Sequence, residues 1–503
     1  MEFLKKHAAI TITGASKVRD VELVVPGLCD LASKITGRDI SDSAWKMAGN
    51  VSLNFMFVKR LSWEQERFDE FLEALNQAAQ TGEIPESYLA RFSGKRKSLI
   101  EHAEERDLWS GHRVYFERLP FTDANMSFVF LWHMAATANG GASPGELYYA
   151  AMQIEDRNVE SWVKELTELG RRIETRARAS LDGGHSVSAR EAFLRAANYY
   201  RMALWTLDPL EPRYREIANE MRSCFHKAAA LLDPPIKVID IPYKDGSLLG
   251  YFRSPDSSGE KRPTLIFLGG GETFAEDGYY VMGSACKERG FNFFTFEYPG
   301  EGLAPFDGFF HCPDEEVPVG AALDYLYSRS DVDPERVATY GISMGGYVGP
   351  RAAAYDDRIK AVVTNSMLYD IYPIFQAYEP LMSNKEMREF LPSAGKVLES
   401  LVWRWGGDVS GDPRQIIELN KSFKVDPSLV TCPVLILIGE GEYRSSSIIR
   451  TQQHHAMDVM PNPKNKLVIG KANEGMAHHC TVENPYLVSE VVFDWLDEIF
   501  QAV

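Results

Sequence analysis

The stretch RVATYGISMGGYVGP, residues 336–350, passes from a β-branched, apolar run into small residues and carries Ser343 between glycines at 341 and 345. This is the form G-x-S-x-G, read as a strand, a sharp turn and a helix. A nucleophile raised on so tight a turn needs neighbours without bulk at minus two and plus two. The helix that follows aims its positive N-terminal end at the reacting centre. The plainer reading, a serine capping a glycine-rich turn, predicts nothing elsewhere in the chain. The nucleophile reading does: a parallel sheet around this strand, then an acid, then a histidine.

Working outward, short apolar runs flank the stretch on both sides: PTLIFLGG (263–270), FNFFTFEY (291–298), IKAVVTNS (359–366), PVLILIG (433–439) and KLVIG (466–470). Continuous rather than alternating apolarity marks strands buried on both faces, and helix-like segments between them imply a mostly parallel sheet flanked by helices. Upstream the texture differs. From about 42 to 232 apolar residues recur at helical spacing, as in WEQERFDEFLEALNQAAQ (63–80) and in SAREAFLRAANYYRMALWTL (188–207), where Phe193, Ala196, Ala197, Tyr200 and Leu204 share a face. Ser143 before Pro144, with Glu146 in the first turn, marks one helix start. Ser188 with Glu191 reads as a capping box at another. A proline pair at 234–235 and two β-rich segments around KDGS place the boundary at 233, giving a helical domain over 1–232 and an α/β domain over 233–503.

At 503 residues two domains are expected. The net charge of -17 gives no support for binding nucleic acid or an anionic membrane surface, which leaves small molecules or proteins as partners. The six scattered cysteines form no CxxC pair, against a disulfide framework or a structural zinc site. The N-terminus makes a poor signal peptide, and no run of eighteen apolar residues occurs. The expected setting is soluble and cytoplasmic.

A serine hydroxyl is a weak nucleophile at neutral pH and needs a base, which needs an orienting carboxylate. On this kind of turn the acid follows the serine in the chain and the histidine comes last. After PVLILIG come Glu440 and Glu442; after KLVIG come His478 and His479. Both loops follow strands, at the carboxyl edge where α/β sheets bind ligands. Glu442 is preferred because Glu440, nearer the strand end, has less reach. The doublet His454 and His455 lies in a helix-like stretch and is given no role. For the developing oxyanion, one donor is expected from the backbone N–H of Met344 and another from Gly270 or Gly271 in LGGGETFAED. As a phosphate loop GGG has neither the G-x-G-x-x-G spacing nor a Lys-Ser/Thr ending.

These segments together resemble the α/β-hydrolases with an N-terminal helical cap, typified by dihydroxypseudooxynicotine hydrolase and the fungal pigment-pathway hydrolases that shorten polyketides. GGGETFAEDGYY looks like that family's Gly-Gly-x-Asp-x-x-x-Glu-Glu loop, FTFEYPGEG like its Phe-Glu/Asp-Gly-Pro-Gly-Gln-Gly segment, and GGASPGELYYAAMQ and GHSVSAREAFLRAANYYRMA like its cap helices. The resemblance spans roughly 120–500; residues 1 to about 115 match no part of it. Its His-Cys pattern before a closing helix implies His479 as the base. Relatives usually carry Asp as the acid; here GEGE leaves Glu442 to serve. Glu272 stands where Asp is frequent, and Tyr298 replaces a glycine, where it is expected to narrow the pocket.

The resemblance implies an α/β-hydrolase fold with an all-α cap and a Ser343-His479-Glu442 triad. It implies cleavage of a carbon-carbon bond in a β-diketone or aryl ketone, or of an ester or lactone, in a polyketide-like or aromatic small molecule of secondary metabolism. Acyl-enzyme and activated-water routes are both open, and neither requires a metal or organic cofactor. A homodimer is also implied. Aromatic segments such as NYYRMALW and MSFVFLWHM are candidates to line the pocket. The rival readings are an acyltransferase or cyclase on the same fold and a catalytically silent binding protein.

Overall fold

Every apolar run of the C-terminal half forms a strand in the computed structural model, which describes residues 120–501 and two N-terminal strands. Those two, β1 (Ala9–Ile12) and β2 (Val21–Val24), pair antiparallel. The helical spacing read at 63–80 and Cys29 lie outside the described residues. By contacts the chain divides into two compact units, 1–111 and 112–503. The expected boundary at 233 falls inside the second unit, between the last helix of its helical layer and the first strand of its sheet.

The helical layer comprises α1 (Ala124–Ala135), α2 (Pro144–Ala151), α3 (Val159–Asp182), α4 (Ser186–Ala203) and α5 (Pro212–Ala230). In α3 the buried Trp162, Leu166, Leu169, Ile173 and Ala177 repeat at three and four residues, with charged side chains opposite. Helix α4 buries the predicted face of Phe193, Ala196, Ala197 and Tyr200, and also Arg201 and Met202. It is enclosed nearly all round because it lies between other helices and the sheet domain's loops. Ser143 precedes α2 as expected, although its hydroxyl makes no capping bond. The capping box expected at Ser188 is not present: α4 begins at Ser186 behind His185. The left-handed Gly184 turns the chain straight out of α3, so the helix restarts earlier than the Ser-x-x-Glu signal suggests.

In the sheet, β3 (Lys237–Tyr243), β4 (Gly246–Arg253), β5 (Arg262–Leu268), β6 (Asn292–Phe296), β7 (Val332–Ile342), β8 (Ala361–Asn365), β9 (Val434–Gly439) and β10 (Lys466–Gly470) lie in the order β10-β9-β8-β7-β5-β6-β4-β3. From β5 to β10 neighbours are parallel; β4 and β3 extend the β6 edge antiparallel. The central strands β6, β8 and β9 are buried at every residue, as their unbroken apolarity requires. The chain leaves β5 for β6 on one side and returns to β7 on the other, so the order reverses between β5 and β7. Loops beyond the carboxyl ends of two such strands diverge and leave a crevice. The glycine-rich loop after β5 and the serine turn after β7 border that crevice. Four further helices frame the site: α6 (Ala275–Gly278), α7 (Gly345–Tyr355), α8 (Pro392–Arg404) and α9 (Pro485–Gln501).

Candidate active site

Ser343 sits between β7 and α7 with φ of 51°, in the left-handed region that costs a non-glycine residue about 1–3 kcal/mol. The turn is held by Ser343 N–H donating to the Asn365 carbonyl at 2.9 Å and Gly346 N–H to the Ser343 carbonyl at 2.8 Å. The flanking glycines are there for space. A Cβ at Gly341 would strike the carbonyl of Gly345, and one at Gly345 the carbonyl of Leu268. The loop after β5 comes equally close: a Cβ on Gly270 would lie 3.1 Å from the Ser343 Cβ and 3.6 Å from its Oγ. Gly270 therefore borders the hydroxyl directly. Gly271 faces Trp405 and Leu401 instead. Met344, whose N–H opens α7, is buried.

At the ends of β9 and β10 the structure joins Glu442 to His479: Nδ1 of the imidazole lies 2.7 Å from Oε1 of a fully buried carboxylate. Glu440 points elsewhere, accepting from Ala472 N–H at 2.8 Å and pairing with Arg444. His478 pairs with Glu483, 3.0 Å away. The neighbouring rings of the HH doublet thus face different carboxylates. His454 and His455 are exposed on the helix Ser447–Val459.

The Cys480 sulfur interacts with the His479 ring and with the Ser343 backbone. Burial lowers the basicity of His479, while the Cys480 sulfur and the Glu442 carboxylate raise it, and together they hold the imidazole above its ordinary 6.5. Burial likewise pushes the Cys480 thiol up, so near neutral pH it is uncharged and the lasting electrostatic support of an imidazolium is Glu442. Cys480 and Thr481 are themselves left-handed, at φ of 57° and 47°. Asn365, whose carbonyl holds the serine turn, also holds this loop: its Nδ2 donates to the Cys480 carbonyl at 2.8 Å and the Thr481 hydroxyl at 2.7 Å. No sequence signal had singled out Asn365, because its role arises only from the adjacency of β7 and β8.

The helical layer reaches this rim through several side chains. Phe128 of α1 brings its ring centroid 6.3 Å from that of His479. Arg201 of α4, buried, donates to Asp277 of α6 at 2.9 Å and to the Glu272 carbonyl at 2.9 Å, gripping the far end of the glycine-rich loop. Of the aromatics expected to line a pocket, Trp132 borders a small cleft behind the histidine loop, with Tyr280, Tyr340 and Cys480. Tyr199 and Tyr200 instead bond Glu146 and Glu174 inside the helical layer, as core side chains at helical spacing usually do. Tyr298 is not a pocket wall: it is fully buried beneath the glycine-rich loop. The five described cysteines are unpaired by disulfides. Among the described residues no helix is long and apolar enough to cross a membrane.

Comparison with known proteins agrees with this architecture. The chain is 32% identical over 354 residues to hydrolase ORFZ of Pyricularia oryzae, covering 64% of this chain and 82% of that protein. It is 30% identical over 272 residues to the α/β hydrolase gkaG of Penicillium citrinum, covering 52% and 62%. The solved structure of 2,6-dihydroxy-pseudo-oxynicotine hydrolase superposes with a TM-score of 0.57 at 20% identity, over 73% of this chain and 95% of that one. The pattern of the esterase FrsA-like family matches residues 136–423, which begin just after α1 and span the rest of the helical layer, the glycine-rich loop and the serine turn. With that match lying across more than half of the chain, this protein belongs to the FrsA-like esterase family and is an α/β-hydrolase.

Proposed function

We propose that this hydrolase acts through Ser343 as nucleophile, His479 as general base and Glu442 as the orienting carboxylate. Its substrate is a polyketide-like or aromatic small molecule of secondary metabolism, cleaved at an ester, a lactone or the carbon-carbon bond of a β-dicarbonyl. The observation that supports this most is the 2.7 Å contact of His479 with Glu442 beside a serine strained on a glycine-flanked turn. Nδ1–H engaged by the carboxylate puts the imidazole lone pair on Nε2. That nitrogen takes the Ser343 proton as Oγ attacks the carbonyl carbon. Negative charge passes to the carbonyl oxygen, where the N–H groups of Met344 and Gly270 or Gly271 receive it. Collapse of the tetrahedral adduct expels the alkoxide or enolate, which leaves with the proton from Nε2. Water, deprotonated by the same nitrogen, then releases the acid and restores the hydroxyl. Phe128, beside His479, supplies an apolar wall suited to an aromatic or polyketide carbon skeleton.

A fluorophosphonate probe tests the assignment. The expected result is one covalent adduct on Ser343, absent in Ser343→Ala with the fold intact. An unlabelled wild-type protein, or a Ser343→Ala variant that turns over normally, would overturn the serine mechanism. Product analysis with added alcohols separates the outcomes further, since ester products in place of the free acid would identify an acyltransferase.

A further inference from the structure

Tyr298 lies in the EYPGEG loop directly after β6. Its side chain is fully buried, with the ring packed against Phe296 and His311 and the hydroxyl donating to the Gly269 carbonyl at 2.9 Å. The Gly269 carbonyl and the Gly270 N–H belong to one planar trans peptide and point in opposite directions. A donor anchored on that carbonyl therefore fixes where the Gly270 N–H aims, and polarises it into a stronger donor. Gly270 is the loop residue bordering Ser343, 3.6 Å from Oγ to where its Cβ would be.

The neighbouring peptides are held in the same manner. The Gly270 carbonyl accepts from the Thr273 hydroxyl at 3.1 Å, the Gly271 carbonyl meets His311 Nε2 at 3.2 Å, and the Thr273 carbonyl accepts from Gly302 N–H at 2.8 Å. Thr273 is backed in turn by the buried Glu301 of the same EYPGEG loop. Glycines at 269–271 restrict their own dihedrals little, so their peptide planes take their orientation from these partners. Among the described residues, Tyr298 is the side chain whose hydroxyl anchors the Gly269–Gly270 peptide, in the loop that borders the serine.

We propose that Tyr298 is a positioning residue that orients and polarises the Gly270 N–H as the second oxyanion donor. The inference rests on the acyl-transfer reading above and deepens it. Tyr298→Phe removes one hydroxyl and keeps the packed ring. Tyr327→Phe is the control, since that hydroxyl also bonds backbone carbonyls, those of Pro334 and Arg358, away from the rim. With 4-nitrophenyl butyrate, Tyr298→Phe should lower kcat about 10- to 100-fold, less than the 10²- to 10³-fold typical of deleting a donor outright. KM should stay within about threefold, because the donor acts on charge that develops after binding. Affinity for phenylboronic acid, which forms a tetrahedral anion on the serine, should weaken by the same factor as kcat. The midpoint of the pH–rate profile should not move, since His479 and Glu442 are untouched.

A folded Tyr298→Phe protein with kcat and boronate affinity within about twofold of wild type would overturn the proposal, as would an equal loss in Tyr327→Phe. If the wild type neither turns over the ester nor labels with the fluorophosphonate, the acyl-transfer reading falls on its own. Amide hydrogen exchange over 268–274 then decides the positioning claim: faster in Tyr298→Phe alone supports it, and unchanged exchange refutes it.

Discussion

The two loops that bring Ser343 and His479 to one rim are both strained, yet they are stabilised differently. The serine turn is prepared locally, with glycines at 341 and 345 clearing the space and a helix beginning at once behind it. The histidine loop has no such preparation. Its left-handed residues are Cys480 and the β-branched Thr481, a residue type for which positive φ is a genuine outlier. What keeps its left-handed residues in place is tertiary: the Asn365 amide on the Cys480 carbonyl and the Thr481 hydroxyl, beside which Glu483 of the same loop accepts from the N–H groups of Ala477 and His478. The same kind of backbone strain is thus encoded by neighbours in sequence at one loop and by neighbours in space at the other.

The largest expected effect belongs to the locally prepared turn. Ser343→Ala should reduce kcat/KM by about 10⁴-fold or more while the melting temperature stays near that of wild type, because only an oxygen is removed. A large fall in melting temperature would mean that the hydroxyl serves the fold and that the turn is not a prepared site.

Next come the carboxylates, which test the partners brought in from space. Glu442→Gln should lower kcat by about 10- to 10³-fold, with Glu440→Gln near wild type. A general base works deprotonated, so under this assignment the rate should rise with pH through the pKa of the His479 imidazole, which the folded protein raises above its ordinary 6.5. Removing the Glu442 charge withdraws support from the imidazolium. The acid limb of the pH–rate profile should therefore shift to lower pH in Glu442→Gln and stay fixed in Glu440→Gln. Equal shifts in both variants would break the assignment of Glu442.

Smallest is Asn365→Ala, which sharpens the contrast between the loops. It leaves the serine turn's own bond to the residue 365 carbonyl and deletes the amide that grips the histidine loop and also donates to the Tyr340 hydroxyl. A loss of about 1–3 kcal/mol in stability is expected from the unpaired buried carbonyl, with roughly a tenfold fall in kcat. Fluorophosphonate labelling of Ser343 should persist at a reduced rate. Unchanged kinetics would show that the strained loop holds itself.

The sequence by itself determined the strands and the site's chemical inventory, because both depend on short-range regularities. Buried parallel strands must be apolar throughout, as in VLILIG, and a serine turn must be flanked by residues without side chains. The order of acid and histidine then followed from loops at strand ends. What only the tertiary structure decided was direction and partnership. Glu442 and Glu440 differ by two positions on the short helix Glu440–Ser445, His479 and His478 by one at the start of a tight turn, and each pair splits between unlike partners because residues so spaced leave the backbone in different directions. Tyr298 looked like a pocket wall and is instead a prop beneath the glycine-rich loop. Ser188 looked like a helix cap and lies inside the helix. In each case the deciding neighbour is far off in sequence: Gly269 for Tyr298, Cys480 and Thr481 for Asn365, Glu272 and Asp277 for Arg201. Local pattern fixes which groups are present, while the packing of β5, β7 and β8 side by side fixes which of them meet.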